Sequence, residues 1–188
     1  MKGFTIIEVV ITIFLLSIAV LGVYNAFSTI VVLTANISDS FTAGYLAQEG
    51  MEIVRNIRDN NWIKPSPDWR CGLADTGSLS TPDCKNADYC ATGCEADYKD
   101  DSLVSYSNNA LYLDNDTGFY VRNPGSNTQT KFKRKITIEV LHIPDEPVLD
   151  YKVMKVIVEV FWPQKPDILN PTGSTGTVSA EEYLYNWY

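Results

Sequence analysis

The chain has 188 residues, 45% hydrophobic and 20% charged, with a formal net charge of −8. That length holds one globular domain and a membrane segment, and the acidic balance argues against a protein built mainly to grip a nucleic-acid backbone, which calls for clustered Lys and Arg. Four cysteines, Cys71, Cys84, Cys90 and Cys94, lie in one short window; outside the cytoplasm they imply disulfides, in a reducing compartment a metal site.

No charged residue occurs from Val9 to Ser38. The run to Tyr24, with Phe4, Ile6 and Ile7, supplies about 20 apolar residues, enough to span a bilayer as a helix. Lys2 precedes it and favours an N-in orientation, with the downstream chain extracytoplasmic. Glu8 is the anomaly, because a carboxylate at the bilayer centre costs roughly 2.5–3.5 kcal/mol. From Asn25 to Arg58 there is no proline. Leu46, Gly50, Ile53, Val54 and Ile57 recur at helical spacing, with Gln48, Glu49, Glu52, Arg55 and Asp59 off that stripe. The pattern predicts one helix of roughly 50 residues, stopped by Asn60-Asn61 and by Pro65 and Pro67, with Gly22 and Gly44 as weak points and Arg55–Asp59 as an i,i+4 pair.

Between residues 60 and 118 ten acidic residues face four basic ones. With its prolines, glycines and cysteines this stretch reads as a long irregular loop in need of staples. Strand patterns follow. ALYLD and GFYVR flank Asn115-Asp116-Thr117, a hairpin signal. FKRKITIEVLHI alternates Phe132, Ile136, Ile138 and Val140 with Lys133, Lys135, Thr137 and Glu139, and KVMKVIVEVFW aligns Met154, Val156, Val158, Val160 and Trp162. Pro144-Asp145-Glu146-Pro147 reads as a turn, 163–177 as a loop, and AEEYLYNWY as a last strand covering an edge. The expected class is α+β: a long N-terminal helix packed on an antiparallel sheet of four to five strands. The expected divisions are a leader at 1–3, a transmembrane half-helix at 4–24, an amphipathic half at 25–61, the acidic cysteine loop at 62–109 and the sheet at 110–188.

A secretory signal would carry a small-x-small cleavage site after the apolar run, and none is present. Gly3-Phe4-Thr5-Ile6-Ile7-Glu8 instead resembles the processing signal of type IV prepilins. The resemblance implies that a membrane peptidase cuts between Gly3 and Phe4, and that the same enzyme methylates the new amine of Phe4. It also implies that Glu8 and Thr5 serve assembly. Together with AQEGMEIVRNIRDNNW, FKRKITIEV and KVIVEVFW, the chain is similar to minor pilins and pseudopilins, such as pilin V of type IV pili and protein I of type II secretion systems. The implied product is a non-enzymatic filament subunit, anchored in the inner membrane before assembly and then part of a surface or periplasmic filament. Its partners would be the prepilin peptidase, other pilin subunits and the assembly platform. A pilus-borne adhesin presenting the cysteine loop, or a major pilin, are the alternatives. Asn25 stands where many major pilins carry a helix-breaking proline, which favours a minor subunit. In this reading Glu8 pairs with an N-terminal amine inside the filament core, where opposite charges attract far more strongly than in water.

Four cysteines permit three pairings, and Cys71–Cys84 with Cys90–Cys94 is the expected one, each closure worth roughly 3 kcal/mol. A zinc site is the alternative, although the spacing lacks paired knuckles. Asp114 and Asp116 resemble the start of a calcium loop but lack its later ligands, so a β-turn is expected and no cofactor. Asn36-Ile37-Ser38 and Asn115-Asp116-Thr117 are glycosylation sequons. His142 has no spacing to a nucleophile that suggests a triad. Trp62, Trp69, Trp162 and Trp187, with Tyr183, Tyr185 and Tyr188, read as core and edge packing. Lys131, Lys133, Arg134 and Lys135 read as a solvated strand face, with no nucleic-acid partner expected.

Overall fold

The computed structural model describes residues 3, 5–63, 69–73, 90–141, 153–166 and 172–185. Phe4, Cys84, His142, the turn at 144–147, Trp187 and Tyr188 lie outside them. Helix α1 spans Ile6–Ile63, 58 residues, longer than the pattern predicts. Gly22 and Gly44 do not interrupt it, and neither does Asn60-Asn61. Asn61 remains helical, and its amide donates to the carbonyls of Trp69 (3.0 Å) and Cys71 (2.6 Å). It therefore ties down the turn after the helix rather than ending it.

The chain divides into two compact units, Met1–Asp39 with Gln164–Ser174, and Ser40–Pro163 with Thr175–Tyr188. In the first, α1 is the one helix among the described residues long and apolar enough to cross a membrane. The hydroxyls of Thr12, Ser17, Thr29 and Thr34 each donate to the carbonyl four residues earlier, so none presents an unpaired donor to an apolar surround. Asn36 exchanges two hydrogen bonds with the backbone of Lys165, at 3.5 and 3.2 Å.

The second unit packs the later part of α1 on β structure. Strands β1 (Cys94–Glu95), β2 (Val104–Ser105), β6 (Lys133–Leu141), β7 (Val153–Pro163) and β8 (Thr175–Tyr185) form an antiparallel sheet in the order β2-β1-β6-β7-β8. Strands β3 (Tyr112–Leu113), β4 (Tyr120–Val121) and β5 (Thr128–Gln129) form a second, three-stranded sheet. A single sheet was the expectation. The hairpin instead folds beside it, held by hydrogen bonds between Leu111 and the backbone of Phe132 and Thr130. Strand β8 begins at Thr175, inside the stretch expected to be loop, and forms the sheet edge.

Alternation determines the sheet's faces. Phe132, Ile136 and Ile138 of the β6 segment and Met154, Val156, Val158, Val160 and Trp162 of β7 are buried against Ala43, Leu46, Ala47, Met51, Val54 and Ile57 of α1. On the outer face, Lys135 lies opposite Glu159 and Glu139 opposite Lys155, favourable cross-strand charge pairs. The cysteine segment is less of a loop than its composition suggests. It contributes β1, β2 and the buried Leu73, Cys90, Cys94, Ala96 and Leu103. Two-residue strands carry no readable period, and these few apolar side chains find the core among many polar neighbours.

Candidate functional site

At the N-terminus, Thr5 precedes the first helical residue, Ile6, and acts as the cap. Its hydroxyl accepts from the Glu8 N–H (3.4 Å) and its carbonyl from the Val9 N–H (3.3 Å). Glu8 thus occupies the third helical position, where a carboxylate faces the positive end of the helix dipole. Part of the cost of an acid in an apolar segment is offset there by the helix itself. Gly3 is exposed, a Cβ added to it would meet nothing within 4 Å, and its φ is outside the left-handed region. Nothing among the described residues requires a glycine at position 3.

A second constellation fixes α1 to the sheet. Arg134 follows the parity of Phe132 and Ile136, so it points inward and is only 2% exposed. Its guanidinium donates to the carbonyls of Leu46 (3.2 Å) and Ala96 (2.9 Å), and Nη1 lies 3.3 Å from Glu49 Oε1. This corrects the expectation that Arg134 belongs to a solvated basic face. The alternation already grouped it with the core, but its charge directed the reading outward. Gly50 lets α1 approach, since a Cβ there would stand 2.8 Å from Val158 Cγ1 and 2.9 Å from Arg134 Cδ. Arg55 does not pair with Asp59. It bonds Glu52 on the helix and Glu182 of β8 (2.9 Å), while Asp59 takes Arg58 (2.8 Å).

Cys90 and Cys94 are disulfide-bonded, with Cα atoms 5.4 Å apart. Cys71 is also disulfide-bonded, and no cysteine among the described residues is free. Nearby, Arg122 faces three carboxylates, Asp100 at 2.5 Å, Asp97 at 3.6 Å and Glu95 at 4.0 Å, and its backbone N–H donates to Asp97 at 2.7 Å. Burial pushes the Asp97 carboxyl above its ordinary value, opposed by that hydrogen bond and by the Arg122 charge. Asp114 has a different task. Its Oδ1 accepts from the N–H groups of Asp116 (2.9 Å) and Thr117 (3.2 Å), which closes the turn and holds its carboxyl below the usual range. Asn115 is engaged with Ser126 and Thr128.

Of the residues singled out in the sequence, the structure brings together Thr5 with Glu8, and Cys90 with Cys94. It does not bring the Lys and Arg cluster onto one face. Residues 1–24 match the family model of the prokaryotic N-terminal methylation motif. No curated protein and no solved structure matches the chain. The fold is pilin-like, a long N-terminal helix packed on antiparallel sheets, and the motif supports a type IV pilin or pseudopilin subunit, anchored in the membrane before assembly. It implies processing by a prepilin peptidase and assembly with other pilin subunits.

Proposed function

We propose that the chain is a minor pilin or pseudopilin, cleaved between Gly3 and Phe4, methylated at Phe4 and built into a filament through residues 4–24. The observation that carries this reading is the methylation motif at residues 1–24, at the start of a helix whose large apolar side chains from Ile6 to Val31 are exposed. Gly3 supports it too. A glycine that neither space nor φ requires has its reason in an external reader, here the peptidase. Helix continuity through Asn25 supports a minor over a major subunit. The later half of α1 and the sheets form the extracytoplasmic head, with the platform and neighbouring subunits as partners. The adhesin alternative loses part of its basis, because Leu73, Cys90, Cys94 and Leu103 of the cysteine segment face the core.

In the filament, Glu8 pairs with an N-terminal amine, its own or a neighbour's, so that cleavage creates the cation that the carboxylate needs. The test is incorporation. Glu8→Leu is expected to insert, be cleaved and retain a folded head, yet be missing from sheared filaments, whereas Gly3→Val accumulates uncleaved. Wild-type incorporation of Glu8→Leu would refute the assembly role.

A further inference from the structure

The larger sheet has two unlike edges. One is β2, two residues long, which offers a partner strand little backbone. The other is β8, which pairs with β7 residue for residue along its whole length, with no bulge. Among the described residues no backbone hydrogen bond reaches β8 except those to β7. Alternate residues of an antiparallel strand turn both N–H and C=O away from the paired side, so every second residue of β8 presents an outward donor and acceptor. Folded proteins blunt such edges with short strands, bulges, proline or lysine. The sequence of β8, TGTVSAEEYLY, contains neither proline nor lysine.

Beside this edge runs an open groove of about 660 Å³ between α1 and β8, bordered by Tyr45, Glu49, Glu52, Arg55, Glu181 and Glu182. Arg55 serves both Glu52 and Glu182, Lys155 takes Glu181 and Arg134 takes Glu49, so three cations meet four carboxylates. Glu52 and Glu181 keep 65% and 50% of their side-chain surface open. Tyr45, Tyr183 and Tyr185 are exposed as well, and their rings suit a cationic head group and its aliphatic stem. A second copy of the chain fits poorly. Parallel pairing of two β8 strands in register stacks Glu181 and Glu182 on their counterparts, where like charges repel. Antiparallel pairing centred on Ala180 sets the two Glu181 side chains on a diagonal, still within reach of each other. We propose that β8 accepts, as an added strand, an extended segment of another polypeptide with Lys or Arg at alternate positions. Main-chain hydrogen bonds supply the attachment, and the carboxylates beside the edge select basic side chains over acidic ones. The inference concerns β8 and the later part of α1, and it stands whether or not residues 4–24 build a filament.

The probe is a fluorescent peptide of alternating Lys and Val, about eight residues long, a usual strand length. Polarisation against the full chain in a neutral detergent at low salt is expected to show saturable binding, and a peptide of alternating Glu and Val should not bind. Two further peptides are methylated on the backbone nitrogens of all Lys or of all Val residues. At least one of them should bind about tenfold more weakly, because it loses its hydrogen bonds to the edge. Ser179→Lys supplies the missing edge lysine at an exposed position opposite Glu159. It should weaken binding of the Lys peptide about tenfold or more, with the urea midpoint unchanged. Glu52→Gln should weaken binding roughly two- to threefold, and Glu139→Gln, on β6 away from the edge, should change nothing. Absence of saturation, equal binding of the Glu peptide, full tolerance of both methylations, or a folded Ser179→Lys that binds like wild type would overturn the proposal. So would a chain that dimerises in the detergent and becomes monomeric on Ser179→Lys, which would assign the edge to a second copy.

Discussion

Between Ile6 and Val31 every large apolar side chain of α1 is at least 46% exposed, whereas Ala43, Leu46, Ala47, Val54 and Ile57 are nearly inaccessible. Both stretches are apolar and helical. They differ in what surrounds the stripe: the later half alternates it with Glu, Gln and Arg and lays it on a sheet, while the earlier half is apolar on every side, as a segment meant for lipid or other helices must be. The first half is therefore suited by composition to lipid or to other helices, whereas the second is packed on the sheet.

The largest test of that difference is Arg134→Met. It removes the guanidinium's hydrogen bonds to the Leu46 and Ala96 carbonyls and leaves Glu49 without its cation, so the head should lose about 3 kcal/mol, read as urea unfolding of the full chain in micelles by tryptophan fluorescence. Leu21→Ala, in the exposed half, should leave that transition within about 0.5 kcal/mol of wild type. Similar losses from both changes would mean that the two halves are not independent. Next in size is the double change Cys90→Ala with Cys94→Ala. Opening so short a loop should cost about 2 kcal/mol, and the transition would report it without any change in membrane insertion.

Glycines make the comparison at finer scale. Gly50→Ala forces a methyl against Val158 and the Arg134 stem, and should cost about 1–2 kcal/mol even after the gain in helix propensity. Gly44→Ala meets nothing within 4 Å and should stabilise the helix by roughly 0.5–1 kcal/mol. If Gly50→Ala were neutral, the close approach of helix and sheet at that point would not be tight.

Much of this was legible in the sequence. The buried stripe of α1 and the inward faces of β6 and β7 follow from period, because burial on one side leaves a repeating mark. Arg134 was misread where two signals conflicted: parity placed it inside and charge placed it outside, and the structure resolves this by giving the guanidinium two carbonyls and a carboxylate. The separate three-stranded sheet, the two-residue strands and the turn-tying role of Asn61 were not legible. Each depends on contacts between segments far apart in the chain, which local pattern does not encode. Glu8 was legible only through its motif, while its capping by Thr5 is local geometry that the Thr-x-x-Glu spacing already contained.

The smallest effect concerns Asp97. Its raised pKa, from burial first, means the charged form is disfavoured in the folded head despite Arg122. The sign follows by linkage: stability from this group is fully present below the ordinary aspartate pKa and is lost as pH rises through the raised one. Asp97→Asn keeps an oxygen to accept the Arg122 N–H and cannot ionise, and Arg122 retains Asp100 and Glu95. The urea midpoint of the variant relative to wild type should therefore move upward as pH is raised through that window, by a small amount. A relative midpoint that moves downward would show that attraction to Arg122 outweighs burial, and that this cluster holds β4 to the β1 segment as an ion pair rather than through the backbone hydrogen bond alone.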